Sequence, residues 1–106
     1  MGIHIAASKC PHVHAAVVES VPAALRAITG NNCNVLAMGS QYISKEEGIE
    51  AANAFLNHYL GDGYENWKNF KEFHELAFNE IEEFNYNEYK KNGYKVKRLG
   101  EVDLEI

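Results

Sequence analysis

Cysteine and histidine are the side chains of this sequence best suited to chemistry at neutral pH, and they gather near its start. Cys10, His12 and His14 alternate, with His4 close by. On a strand, residues two apart share a face. A Cys-x-His-x-His run could therefore present thiolate and imidazole to zinc or another soft to borderline metal. Structural metal sites close with four ligands and tighter pair spacing, and no second ligand pair is visible. The plainer reading makes His12 and His14 ordinary polar residues at a strand entrance, with no metal bound. Cys10 and Cys33 are the only cysteines. They could be read as a nucleophile and a redox partner, but Cys33 falls in a turn entering a strand, where a small, partly apolar side chain packs easily. A reducing compartment disfavours a disulfide between them.

The elements that would position these groups follow from periodicity and punctuation. Val13 to Val18 and Asn34 to Met38 are short apolar stretches that suit buried strands. Between them Val21 to Thr29 has Pro22 early, where a missing N–H costs nothing, and Gly30 as a stop, which predicts a helix. Strand, crossover helix and strand make a βαβ unit with parallel strands. Ser44 is placed to cap a further helix, with Glu46 and Glu47 at its positive end and Ile49, Ala52, Phe55, Leu56 and Tyr59 recurring at helical spacing. Later, Trp67, Phe70, Phe73 or His74, Ala77, Ile81 and Phe84 form an apolar helical stripe that calls for an apolar partner surface. Tyr94 to Ile106 alternates loosely, as a strand or extended arm would.

Composition limits what such an assembly can be. The chain has 106 residues, 46% of them hydrophobic, enough for one compact domain with an appendage but not for two independent cores. A net charge of -5 opposes a general grip on nucleic acid or an anionic membrane. No apolar run approaches the roughly 20 residues of a spanning helix, and no basic and apolar leader opens the chain, so a cytoplasmic location is expected. Residues 1–61 carry only Lys9, Arg26 and Lys45 against Glu19, Glu46, Glu47 and Glu50, whereas 62–106 hold most of the charge and the only Trp. The turn-forming Gly61-Asp62-Gly63 marks the change. The expected organisation is an α/β domain over 1–61 and a helical C-terminal extension over 62–106.

Two segments of the first region resemble a known family. Gly2-Ile3-His4-Ile5-Ala6-Ala7-Ser8-Lys9 is similar to G-I-x-I-A-A-N-K, and Asn31-Asn32-Cys33-Asn34-Val35-Leu36-Ala37-Met38-Gly39-Ser40 to H-N-(N/D)-x-N-V-L-A-x-G-(S/A), at the same separation. Both belong to the ribose-5-phosphate isomerase B and galactose-6-phosphate isomerase family of sugar-phosphate isomerases. With the helix ending in Ala54-Phe55-Leu56, the similarity covers about 2–61. It implies a partial Rossmann-like parallel sheet corresponding to the C-terminal two-thirds of such an enzyme. The Trp67 region resembles an extra segment that some members carry.

What the resemblance implies for chemistry can be checked position by position. Family members interconvert aldose and ketose phosphates through an enediol, which requires a ring-opening acid/base, a base for proton transfer, oxyanion donors and phosphate cations. The donors come from Cys-Gly-Thr-Gly-x-Gly, of which Gly2 matches the last glycine; the Cys, a base in many members, has no counterpart here. Ile3 stands where other members place a Glu base. Gly30 stands at the ring-opening His, while Asn31 keeps the asparagine that hydrogen-bonds a sugar hydroxyl. Gln41 replaces an Arg, and Asp62-Gly63-Tyr64-Glu65 roughly replaces the G-G-R-H phosphate site. The expected substrate contacts are therefore Gly2 and Asn31, with no catalytic residue and no cofactor. The implied function is a sugar-phosphate isomerase that is inactive or incomplete as this chain alone, acting as a homodimer or with a chain supplying the N-terminal strands and loop. The alternative is a non-catalytic remnant or interaction module. Either leaves a sheet edge in need of cover.

Overall fold

The computed structural model describes residues 1–95. Seven elements follow one another: α1 (Gly2–Ala7), β1 (Ala15–Val17), α2 (Val21–Thr29), β2 (Val35–Ala37), α3 (Lys45–Leu56), α4 (Phe70–Glu82) and α5 (Tyr86–Lys91). The expected arm from Tyr94 to Ile106 lies almost wholly outside the described residues. The chain divides into two compact units, Met1–Asp62 and a second beginning at Gly63. Each is described by itself.

In the first unit β1 and β2 pair in parallel, Ala16 opposite Leu36, across the crossover helix α2. This is the βαβ arrangement that the periodicity predicts, in the Rossmann-like α/β class that the resemblance implies. Both strands are shorter than the apolar runs that encode them, and Asn34 supplies the reason. Its side-chain oxygen accepts from the His14 amide at 2.9 Å and its nitrogen donates to the His12 carbonyl at 2.9 Å. Ahead of Ala15, a side chain thus does what a neighbouring strand would do. His12 itself has φ 63, which turns the backbone out of extended geometry.

The ladder bonds from the Val35 amide to the His14 carbonyl (3.4 Å) and from the Val18 amide to the Ala37 carbonyl (3.0 Å) set the phase of the pair. His14, Ala16 and Val18 face β2, so the backbone groups of Ala15 and Val17 point to the opposite edge. There the His4 ring donates through Nε2 to the Ala15 carbonyl at 3.1 Å, joining α1 to β1.

Small side chains make the core. Val18, Ala24 and Ala51 are buried, with Ala16, Val21, Leu36 and Ile43 packed against them. Ala24 of α2 and Ala51 of α3 are both 0% exposed, which lets the two packed helices approach closely. The stripe read from sequence periodicity overlaps the covered face of α3 at Ala52 and Phe55 only. Ile49 and Leu56 are exposed (55% and 75%), and the covered stripe runs through Gly48, Ala51, Ala52 and Phe55. Close helix contact selects for small volume over hydrophobicity, and that shifts the covered stripe toward Gly48 and Ala51. Serines begin both helices: the Ser20 hydroxyl accepts from the Ala23 amide and Ser44 from the Glu47 amide, each at 3.2 Å.

The second unit is built on rings. Tyr64, Phe70 and His74 stack in sequence, with centroids 4.1 Å apart at each step, and Trp67 meets Tyr64 edge-on at 5.0 Å. Phe70 is 2% exposed. The expected helical stripe is shortened at both ends. Asn69 adopts φ 61 before α4 begins, which leaves Trp67 in the preceding turn, and Phe84 lies beyond the Glu83 cap. Phe73, His74 and Ala77 are half-buried, but Ile81 and Phe84 are exposed.

Candidate functional site

The retained asparagine sits where α2 hands over to β2. Gly30 caps α2 in an ordinary helical conformation, φ -105, so glycine is not needed there for its dihedrals. The space beside it is taken by the Arg26 side chain. A Cβ at position 30 would stand 2.8 Å from Arg26 Nε and 3.2 Å from the Arg26 carbonyl oxygen. A histidine at this place would have to displace the arginine. Asn32 turns the chain with φ 51, a left-handed conformation that asparagine tolerates. The amides of Asn32 and Cys33 then bond back to the carbonyls of Ile28 (3.2 Å) and Ala27 (3.0 Å). Asn31 is left exposed on this turn, and its side-chain amide makes no hydrogen bond among the described residues.

A second turn is fastened to the same place. The Gly61 amide donates to the Thr29 carbonyl at 2.8 Å, and the Asp62 amide to the Tyr59 carbonyl at 3.0 Å. Gly61 has φ 88, which only glycine adopts freely. Within that turn His58 Nδ1 lies 2.7 Å from Asp62 Oδ2. Sequence reasoning passed over this pair. Its signal was a His and an Asp four apart at a helix end, bracketed by glycines.

Gly2 is the first residue of α1, exposed, with nothing within 4 Å of a Cβ built there. Ile3 beside it is 73% exposed. Gly2 and Asn31 lie on different elements, one ahead of β1 and the other at the amino edge of β2, with no hydrogen bond joining them. Gln41 is exposed in the turn after β2.

The cysteines and histidines near the start do not assemble. His12 breaks the extended alternation, and no three His, Cys, Asp or Glu residues are grouped to hold a metal ion among the described residues. Both cysteines are free; Cys10 is exposed, and burial pushes the Cys33 thiol up. A raised thiol pKa means less thiolate at neutral pH and lower reactivity. No described helix is long and apolar enough to cross a membrane.

Parallel strands bridged by a crossover helix, with the exposed Asn31 on the turn between helix and second strand, define an α/β protein. Comparison with known proteins makes this specific. A family model described as Ribose/Galactose Isomerase matches residues 1–74, and the chain belongs to that family. The match runs beyond position 61, where the motif resemblance stops. The chain is 37% identical over 68 residues to a 4-deoxy-4-sulfo-D-erythrose isomerase from Clostridium sp. (strain MSTE9), covering 64% of this chain and 43% of that protein. Among solved structures it resembles ribose-5-phosphate isomerase B from Mycoplasma genitalium with bound ribulose-5-phosphate, at TM-score 0.65 and 27% identity over 86% of this chain and 51% of that one. It also resembles the type B enzyme of Trypanosoma cruzi, at TM-score 0.63 and 26% identity over 76% and 49%. The chain spans about half the length of these solved relatives.

Proposed function

We propose that this chain takes part in aldose–ketose isomerisation of a sugar phosphate of the ribose 5-phosphate or galactose 6-phosphate type, with Gly2 and Asn31 as substrate contacts. The observation that carries the reading is the state of Asn31: exposed, without a side-chain hydrogen-bond partner among the described residues, and held by a closed turn within the family motif. A polar amide in such a position costs the fold nothing and can be satisfied by a sugar hydroxyl. By this reading a second chain, either another copy or a complementing polypeptide, completes the site. By this reading the 106 residues alone bind without turnover. Internal positions support that view: Ile3, Gly30 and Gln41 carry neither the base, the ring-opening histidine nor the cation that the family places there.

Thermal unfolding in the presence of millimolar D-ribose 5-phosphate or D-galactose 6-phosphate tests the reading. A ligand at a hundred times its dissociation constant stabilises by about 2.7 kcal/mol, so the midpoint should rise for the parent chain and stay fixed for Asn31→Ala. The absence of a shift with both sugars would favour an assembly module without a ligand. Turnover by the purified chain, abolished by Asn31→Ala, would show instead that it is a complete enzyme.

A further inference from the structure

We infer that His58, oriented by Asp62, is the acid/base group that opens the sugar ring beside Asn31. The inference rests on the proposed sugar-phosphate binding. Position 30, immediately before Asn31, is a glycine and carries no side chain, and the Arg26 side chain lies over it, with Nε 2.8 Å from where a Cβ would stand. A proton carrier must therefore come from a neighbouring segment. The segment bonded to this place is the 58–62 turn, through the 2.8 Å hydrogen bond from Gly61 to Thr29. One residue separates Thr29 from Asn31 on one side of that bond, and two separate Gly61 from His58 on the other.

The pair has the form such a role needs. Asp62 accepts from Nδ1–H at 2.7 Å, which fixes the tautomer and leaves the Nε2 lone pair to act as a base. The side chains are 39% and 25% exposed, accessible to a small ligand yet partly shielded. Asp62 acts only through His58 and is a positioning residue. Gly61, with φ 88, fixes the turn that brings both to the end of α2.

The step balances with one histidine. His58 Nε2 takes the proton from the anomeric hydroxyl as the bond between the anomeric carbon and the ring oxygen breaks and the carbonyl forms. The imidazolium then returns that proton to the former ring oxygen, now a hydroxyl. No oxidant, metal or second reactant is consumed. Reversal on either face of the carbonyl exchanges the two anomers, so ring opening can be read without any isomerisation.

The test is anomer exchange of D-galactose 6-phosphate and D-ribose 5-phosphate, followed by two-dimensional NMR exchange spectroscopy with the full chain at saturating sugar. The parent chain should accelerate exchange over buffer, and His58→Gln should remove about 10²-fold of that acceleration while thermal shift shows the sugar still bound. Asp62→Asn should lower the exchange rate at saturation with the dissociation constant unchanged, and Asp62→Glu should recover part of it. A purely structural staple would alter stability in these variants without separating rate from binding. Binding without acceleration, or acceleration that survives His58→Gln, overturns the inference and leaves the proposed function standing. Failure of both sugars to bind removes the inference and the proposed function together.

Discussion

The two units of this chain solve the packing problem with opposite materials. In Met1–Asp62 the buried side chains are mostly alanines and valine, and α2 meets α3 through Ala24 and Ala51. From Gly63 onward the buried element is Phe70, sandwiched between Tyr64 and His74. Small residues give stability through close backbone approach, so they tolerate no added volume. Rings give it through large apolar area, so they tolerate no loss of volume.

The contrast predicts opposite responses to substitution. Phe70→Ala should have the largest effect, a loss of about 3–5 kcal/mol in denaturant unfolding, together with the near-ultraviolet circular dichroism of the stacked rings. Ala51→Leu should cost about 1–3 kcal/mol by overpacking. A stable Ala51→Leu chain would dissolve the distinction, because it would mean that α2 and α3 leave room between them. Asn34→Ala removes both side-chain bonds that bracket His12 and His14 and should cost about 1 kcal/mol, visible as faster amide exchange at His14. Labelling with a thiol reagent sharpens the picture inside the first unit: Cys10 should react first, and Cys33, whose thiol is pushed up by burial, should lag until the pH is raised. Lys71→Ala should do least, within about 0.5 kcal/mol, because the 3.8 Å Lys71–Glu75 pair is exposed.

The same contrast explains what could be read without coordinates. In the first unit Pro22, Gly30 and Ser44 punctuate the chain chemically, and helices α2 and α3 begin and end where those residues require. The parallel pairing followed from element order alone. What escaped was governed by three-dimensional proximity. Asn34 belongs to the recognised motif, but its role as a bracket depends on a loop twenty-two residues away. The covered face of α3 was found only at Ala52 and Phe55, because hydrophobicity was weighed without volume. His58 and Asp62 gain significance only through the bond between Gly61 and Thr29, which joins distant segments. In the second unit the left-handed Asn69 halts a helix that periodicity would have started at Trp67, and stacked rings carry no sequence period of their own.

The histidine on the free edge of β1 has a consequence for self-association. A bare strand edge is a template on which other chains can nucleate ordered aggregates. Here the first outward carbonyl, at Ala15, is already occupied by His4, and the next outward residue is Val17. An incoming strand therefore finds no continuous run of open backbone groups and must first evict an imidazole anchored on its own helix. Among the described residues, one side chain carried on a six-residue helix thus interrupts the row of outward backbone groups on β1.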